Sequence, residues 1–247
     1  MQLELRRVQQ IMGMPVSLAL RGGEEPLADE VFGWLRWVDA TFSTYKSDSE
    51  ISRMVRGELR PHHTHPLVRE VLGQAAALAA PTKGYFDIHA GGRLDPSGYV
   101  KGWAVQMASD LLLARGSYDH CINAGGDIRA HGRNAEGRPW RIAVQDPQDP
   151  AEIRWVIETE DLAVATSGTY ARGGHVIDPQ TGRAALALSS VTVVGQDLAL
   201  ADAYATAALA MGADARHWLS MLEGYDAALI DSRGGTWSSI GWPCEDE

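Results

Sequence analysis

Asp202 and Thr206 lie four residues apart in the alanine-rich segment Leu198–Met211, which the sequence predicts as a helix. Residues with this spacing share one helix face, so a carboxylate oxygen and a hydroxyl oxygen would point the same way. Mg²⁺ is a hard cation that prefers oxygen ligands and commonly combines a carboxylate with phosphate oxygens and water. The pair is therefore a candidate magnesium site. The alternative is an ordinary helix carboxylate beside a packed β-branched residue.

Lys101 lies near the start of another predicted helix, which follows Gly98 and ends near Gly116. A cation at this position opposes the helix macrodipole, whose positive end is at the N-terminus. A bound diphosphate would reverse this effect, because helix N–H groups and an ammonium group can hold it together. Lys101 is therefore a candidate diphosphate ligand, with a solvated surface lysine as the alternative.

Three further side chains are candidates for catalysis or for binding a planar ring. A neutral imidazole can take a proton from a hydroxyl group near pH 7, so His175 is a candidate general base. A structural histidine at the start of a strand is the alternative for His175. Tyr45 and Phe86 suit stacking on a planar ring, although isolated aromatic residues more often belong to a hydrophobic core.

The composition excludes several classes of function. The 247 residues carry a formal net charge of -10 without a cluster of Lys and Arg, whereas nucleic-acid binding needs a basic surface. No apolar run of the sequence is long enough to span a membrane. Glycine-rich phosphate loops, dinucleotide fingerprints and the nucleophile elbow are absent from the sequence. An acidic protein that handles an anionic ligand must bring a metal or a local lysine to its site, which agrees with the candidates above.

The N-terminus can be interpreted in two ways. Arg6 and Arg7 precede the apolar stretch 11–20, an arrangement that a short export signal also has. Pro15 within this stretch and Glu4 within the basic region argue against a signal. We therefore expect the stretch to form the first β-strand and the protein to be cytoplasmic, with a periplasmic location as the alternative.

Periodic apolar residues indicate helices that alternate with groups of strands. Helices are predicted from Pro26, from Pro66, after Gly98 and over Leu198–Met211. The predicted strands are 12–20, 119–123, 141–145, 154–158, 162–166, 190–195 and 227–231. This order is typical of an α+β fold in which mixed or antiparallel sheets are layered with helices. No linker divides the chain, so we expect a single domain over residues 1–247, with two intertwined subdomains as a variant of it.

Gly- and Asp-rich junctions stand at the boundaries of these elements, where functional groups usually project from a rigid scaffold. They are the segments 84–87, 95–102, 123–127, 166–168, 175–179 and 201–206. Taken in this order, together with 12–13, 42–45 and 49–53, they resemble the ApbE-type family of FAD:protein FMN transferases. The resemblance covers most of the chain and rests on the order and approximate spacing of the motifs.

The resemblance implies a fold and an activity. The fold would be the T-fold-like architecture of that family. The activity would be magnesium-dependent transfer of FMN from FAD to a Thr or Ser hydroxyl of an acceptor flavoprotein, with release of AMP. Two alternatives stay open: a FAD diphosphatase that makes FMN and AMP, and a non-enzymatic flavin-binding or assembly protein.

The resemblance also implies a role for particular positions. Asp202 and Thr206 would bind Mg²⁺ together with the backbone carbonyl of Gly98, and His175 would be the general base. The residues implied in FAD binding are Met12, Tyr45, Tyr85, Phe86, Asp87, Asp95, Lys101 and Val176. Segments 123–127 and 166–168 would be loops that shape the phosphate pocket.

This chain departs from the family pattern at a few positions. Val55 stands where many members have Asn, Ala205 where some have a carboxylate, and Thr169 where many have an acidic residue. The Asp202–Thr206 pair is unaffected by these changes. An aliphatic side chain cannot ligate a metal, so Val55 argues against a second metal and against efficient hydrolysis of FAD.

Overall fold

The computed structural model describes residues 4–149, 151–169 and 176–244 of the chain. The α-helices in these ranges are α1 (Glu25–Phe42), α2 (Glu50–Val55), α3 (Pro66–Ala77), α4 (Ser97–Ala114), α5 (Leu198–Met211) and α6 (Ala215–Leu219). The strands are β1 (Glu4–Ile11), β2 (Met14–Arg21), β3 (His120–Ala124), β4 (Asp127–His131), β5 (Trp140–Gln145), β6 (Ile153–Thr159), β7 (Asp161–Gly168), β8 (Ile177–Asp178), β9 (Arg183–Ala184), β10 (Leu188–Gly195), β11 (Tyr225–Asp231) and β12 (Thr236–Ser238). The predicted helices are confirmed, and α5 has the predicted bounds.

One antiparallel sheet organises the described part of the chain. Its strands follow the order β1-β2-β3-β4-β7-β10-β11-β12. β5 and β6 form a separate hairpin, and β8 and β9 form another. In the large sheet, β4 pairs with β7 rather than with β5, because the β5–β6 hairpin leaves the sheet and packs on its face.

Helices α1, α4 and α5 cover one face of this sheet. Val31, Leu35 and Val38 of α1 repeat at helical spacing and are buried in this layer. α5 is buried on nearly all sides, because it contacts β7 and β10 as well as α4, and its many alanine side chains allow this close approach. Helices segregated to one face of an antiparallel sheet make an α+β fold, so the predicted fold class is confirmed.

The β5–β6 hairpin covers the opposite face of the sheet. Ile142 and Ile157 of the hairpin pack against Ile128 and Val164 of the sheet. Burial of each such aliphatic side chain stabilises the fold by about 1.5–3 kcal/mol.

Among the residues that the structure describes, no helix is long and apolar enough to cross a membrane.

Several turns meet at one end of the sheet. Val16 of β2 pairs with Ala124 of β3, so the turn before β2 and the turn after β3 lie at the same end. Met12-Gly13 forms the first turn, with φ of 55° and 75°, and Gly125-Gly126 forms the second, with φ of 62° and 101°. Positive φ at both central residues is what a type I′ hairpin turn requires. Gly168, the last residue of β7, lies at this end too.

Three local predictions at this end were wrong. Met12 belongs to the turn and not to a strand over 12–20, because β1 precedes it and β2 begins at Met14. The segment 123–127 is not a loop, because Asn123 lies in β3, Asp127 begins β4, and only the two glycines form the turn. The segment 166–168 is not a loop either, because it forms the end of β7 and pairs with β10. In these places backbone pairing extends through polar residues that the hydrophobic pattern did not mark as strand.

Candidate functional site

Helices α4 and α5 approach each other closely at two glycines of α4. A Cβ atom on Gly102 would lie 2.4 Å from the carbonyl oxygen of Leu198 and 2.8 Å from Cβ of Asp202. A Cβ atom on Gly98 would lie 3.1 Å from Oγ1 of Thr206. Gly98 therefore faces Thr206 and Gly102 faces Asp202, so the two helices run antiparallel and bring the candidate metal ligands to the start of α4.

Asp202 is buried at this contact, with 2% of its surface exposed. Its Oδ2 accepts a hydrogen bond from the amide of Gly102 at 3.0 Å. In an undisturbed α-helix this amide would donate to the carbonyl of Gly98, four residues earlier. The Asp202 carboxylate therefore competes with the Gly98 carbonyl for the amide of Gly102. This competition favours the Gly98 carbonyl oxygen as a ligand for a cation.

Lys101 lies between two buried carboxylates. Its Nζ forms an ion pair with Oδ2 of Asp127 at 2.8 Å. Its distance to Oδ1 of Asp202 is 4.0 Å. The other oxygen of Asp127, Oδ1, accepts a hydrogen bond from the amide of Thr166 at 3.2 Å. The strands β4 and β7 thus hold one carboxylate and helix α5 holds the other.

Burial raises the pKa of Asp202 well above its usual range, and the neighbouring charge of Asp127 raises it further. The Lys101 ammonium and the Gly102 amide lower this pKa but do not cancel the first two effects. Among the described residues, the Lys101 ammonium thus faces the two buried carboxylates of Asp127 and Asp202. Because buried like charges repel at short distance, the arrangement favours a further cation next to Asp202.

Hydroxyl groups complete the oxygen-rich character of the site. Thr206 Oγ1 lies 3.2 Å from Oγ of Ser167, and Oγ1 of Thr166 lies 2.9 Å from Oγ1 of Thr192. A carboxylate, hydroxyl groups and a backbone carbonyl are hard oxygen donors. This set fits Mg²⁺, which binds through one or two protein carboxylates and fills the rest of its shell with water and phosphate oxygens.

The segment before α4 is held by its own hydrogen bonds. Asp95 Oδ1 accepts from the amide of Ser97 at 3.0 Å, and the amide of Asp95 donates to the carbonyl of Ile88 at 2.7 Å. Phe86 is buried, and its ring lies 3.3 Å from the position that a Cβ of Gly98 would have. In this structure Asp95 stabilises the start of α4 and Phe86 forms the wall behind Gly98.

The other residues that the resemblance implies in FAD binding differ from one another in their exposure to solvent. Tyr45 is 83% exposed in the loop after α1, and Asp87 is also exposed and accepts a hydrogen bond from the amide of His89. Half-buried side chains that pack against the helical core are those of Met12, Tyr85 and Val176. His175 lies outside the described residues. The structure therefore brings Gly98, Lys101, Asp202, Thr206 and Phe86 together.

Sequence reasoning missed three residues of the site. Asp127, Ser167 and Gly102 were part of junction motifs without a role of their own. The signal for Asp127 was its position directly after Gly125-Gly126, because a hairpin turn fixes the side chain that follows it. Ser167 and Gly102 lie opposite Thr206 and Asp202 only through tertiary packing, which spacing along one element does not reveal.

Two cavities lie outside this cluster. The larger, of about 630 Å³, opens at the opposite end of the sheet beside Arg21, Arg115 and Tyr118. None of the implied residues that the structure describes lines it, so its size does not make it the reaction site. The smaller, of about 310 Å³, is bordered by Tyr85 and by Trp218 of α6.

Comparisons with known proteins support one family. The model of the ApbE family matches residues 12–92 and 89–229. A FAD:protein FMN transferase of Vibrio cholerae is 39% identical over 129 residues, which are 48% of this chain and 39% of that protein. A protein of the same name from Escherichia coli K12 is 32% identical over 159 residues, 59% of this chain and 45% of that protein. The match thus spans less than half the length of these two relatives.

A solved structure agrees with the fold described above. The flavin transferase ApbE from Vibrio cholerae superposes with a TM-score of 0.84 at 24% identity, over 97% of this chain and 98% of that chain. Nearly the whole chain therefore shares the architecture of that protein. The expected fold is confirmed at this level.

Proposed function

This chain belongs to the ApbE family, and we propose on that basis that it transfers FMN from FAD to a Thr or Ser hydroxyl of an acceptor protein, with Mg²⁺ as cofactor and AMP as the second product. The names of its relatives support the reaction type. The acceptor would be a flavoprotein with a modifiable hydroxyl side chain. This specific partner follows from the resemblance and is part of the proposal.

One observation carries the proposal: the buried carboxylate of Asp202 stands beside Thr206, Gly98 and Lys101 at the start of α4. Asp202, the Thr206 hydroxyl and the Gly98 carbonyl would hold Mg²⁺. When bound, the metal would neutralise negative charge on the FAD diphosphate, which is the main electrostatic demand of phosphoryl transfer. The excess of buried negative charge around Asp202 supports this assignment.

Lys101 and the start of α4 would bind the diphosphate. The N-terminal amides of a helix attract anions, and α4 is 18 residues long. Lys101 is the fifth residue of α4, so its ammonium lies close to that end. It would stabilise the charge that grows on the diphosphate as AMP leaves.

His175 is proposed as the general base. It would take the proton of the acceptor hydroxyl, whose oxygen then forms a bond to the FMN-side phosphorus of FAD. The bond from this phosphorus to the bridging oxygen breaks, and AMP leaves with that oxygen. His175→Ala should therefore abolish transfer and leave FAD binding unchanged, because it removes the base and no charged ligand. Wild-type transfer by this variant in the assay below would exclude the assignment.

The remaining FAD contacts are proposed from the resemblance. They involve Met12, Tyr45, Tyr85, Phe86, Asp87, Asp95 and Val176. The high exposure of Tyr45 supports its part, because an aromatic ring in solvent is available to stack on flavin or adenine. The half-buried Tyr85 stands beside a cavity, which supports a contact there too.

The experiment uses FAD with radioactive phosphorus in the FMN phosphate, and a second sample labelled in the adenosine. The purified protein is incubated with either FAD, Mg²⁺ and an extract of cells that lack this protein. We expect the FMN label to become covalently attached to protein and the adenosine label to appear only in AMP. Omission of Mg²⁺ or the substitution Asp202→Asn should prevent both the labelling of protein and the release of labelled AMP. Free labelled FMN without labelled protein would show a FAD diphosphatase instead.

A further inference from the structure

Asp127 is buried and charged, yet the motifs assign it no role. Its side chain is 0% exposed, although it is the first residue of β4 after a surface turn. The amide of Thr166 donates to its Oδ1, which fixes the carboxyl group to the neighbouring strand β7. Its Oδ2 lies 2.8 Å from the ammonium of Lys101. Asp127 therefore joins the rigid sheet to a lysine on α4.

Lys101 benefits from such a partner because its side chain is long and its ammonium group has no fixed direction of its own. The distance to Asp202 is 4.0 Å, beyond ordinary hydrogen-bond length, so the contact with Asp127 is the shorter of the two. The side chain of Lys101 stays 24% exposed. The ammonium is thus held from the sheet side by a side chain that is not fully enclosed.

We propose that Asp127 is a positioning residue, which holds the Lys101 ammonium where the FAD diphosphate binds. This inference rests on the proposed function. Asp127 itself does not touch FAD, and it acts only through Lys101. A pre-placed ammonium stabilises charge that develops on the phosphates without first having to reorient, so the effect falls on turnover more than on substrate binding. The competing role is support of the β3–β4 turn alone.

A double-mutant cycle of Asp127→Asn and Lys101→Met separates the two roles. Asn has nearly the size of Asp and keeps an acceptor oxygen for the Thr166 amide, but it has no charge. Initial rates of label transfer are measured at varied FAD with a fixed amount of the cell extract. We expect D127N to lower the apparent kcat about tenfold or more and to change KM for FAD by less than about twofold. In the K101M background, D127N should cause no further loss.

The matched control is Asp161→Asn. Asp161 is the first residue of β7 and pairs with Arg129 at 2.6 Å, near the far end of β4 from Asp127. Removal of this charge should leave the rate of transfer unchanged. Should D127N not fold, the comparison of K101M with the double variant still decides, because Asp202 stays buried in both variants and they differ only in the charge of Asp127.

Three results would overturn the inference: a wild-type kcat in D127N, the same fold-loss from D127N with and without Lys101, or a double variant slower than K101M. If the wild-type protein transfers label but the cycle is additive, the role of Asp127 is wrong and the proposed function stands. If the wild-type protein transfers no label, the proposed function fails and this inference with it.

Discussion

The amide of Gly102 donates a hydrogen bond to the carboxylate of Asp202 at 3.0 Å, and this contact joins α4 to α5 at the candidate metal site. It is possible only because position 102 has no side chain, since a Cβ there would lie 2.4 Å from the Leu198 carbonyl oxygen. The spacing of the two helices and the placement of the buried carboxylate thus depend on the same glycine.

Gly102→Ala should therefore impair both stability and ligand binding. The added methyl group forces the helices apart, which costs about 1–3 kcal/mol, and it moves Asp202 away from the Gly98 carbonyl. The measurements are urea unfolding and calorimetric titration with FAD in the presence of Mg²⁺. Gly73→Ala in α3 is the matched control, because nothing lies within 4 Å of its Cβ position. It should stabilise the protein by about 0.5–1 kcal/mol and leave FAD binding unchanged.

Tyr45→Ala should weaken FAD binding without a loss of stability. The ring is 83% exposed, so its removal leaves no cavity in the core. Loss of stacking would weaken binding about tenfold, whereas Tyr45→Phe keeps the ring and should bind as the wild type does. Fluorescence titration with FAD measures the dissociation constant of each variant. Tyr118→Ala, at an exposed tyrosine at the other end of the sheet, serves as the control. An unchanged dissociation constant for Y45A would exclude a contact between Tyr45 and FAD.

The longer helices α1, α3, α4 and α5 were predictable because their apolar residues repeat with helical period, whereas the short helices α2 and α6 were not predicted. The alanine-rich α5 was predicted to the residue, and Asp202 and Thr206 share a face as their spacing required. β1 was missed because it is an edge strand of mainly polar residues, whose pairing with β2 is specified by the Met12-Gly13 turn and not by hydrophobicity. Backbone hydrogen bonds, which every residue type can make, form such a strand.

The candidate site was predictable only in part, for a related reason. Lys101 was recognised from its position in a helix, but its ion pair with Asp127 joins a helix to a strand. Sequence periodicity gives neighbours within one element, whereas this pair depends on how β4 packs beneath α4. The same holds for Ser167 and Thr206, which meet between β7 and α5.

His120 makes the stability of the protein sensitive to mild acid. Its Nδ1 lies 2.9 Å from the carbonyl of Ser117 and must donate, so Nε2 of the neutral ring accepts from the Ser109 hydroxyl at 2.7 Å. Burial lowers the pKa of His120 from 6.5 to about 4, although the hydrogen bond to the Ser117 carbonyl opposes this shift. The charges of His131 and Arg129 lower the pKa slightly further, and that of Asp119 raises it slightly. The ring is thus buried in its neutral form.

Because the folded pKa is depressed, the unfolded chain binds more protons between pH 6.5 and about pH 4, and stability falls as pH falls through this window. The contribution of His120 should drop by about 2 kcal/mol from pH 7 to pH 5. His120→Gln keeps a donor and an acceptor but cannot titrate. Urea unfolding at both pH values should show a smaller loss for H120Q than for the wild type. Equal losses would mean that another group causes the acid sensitivity.

Without an acceptor protein, the chain should hydrolyse FAD slowly or not at all. Val55 is the last residue of α2 and is 47% exposed, and its aliphatic side chain cannot hold a second metal that would place a water molecule for attack. An acceptor hydroxyl needs no such help, because docking of the partner supplies its orientation. AMP release from FAD and Mg²⁺ is measured with and without the cell extract. Val55→Asn should raise the rate without extract, whereas Val55→Ala, which removes the same side chain and adds no ligand, should not. Rapid AMP release by the wild-type protein alone would make hydrolysis the primary activity, and V55N would then have little effect.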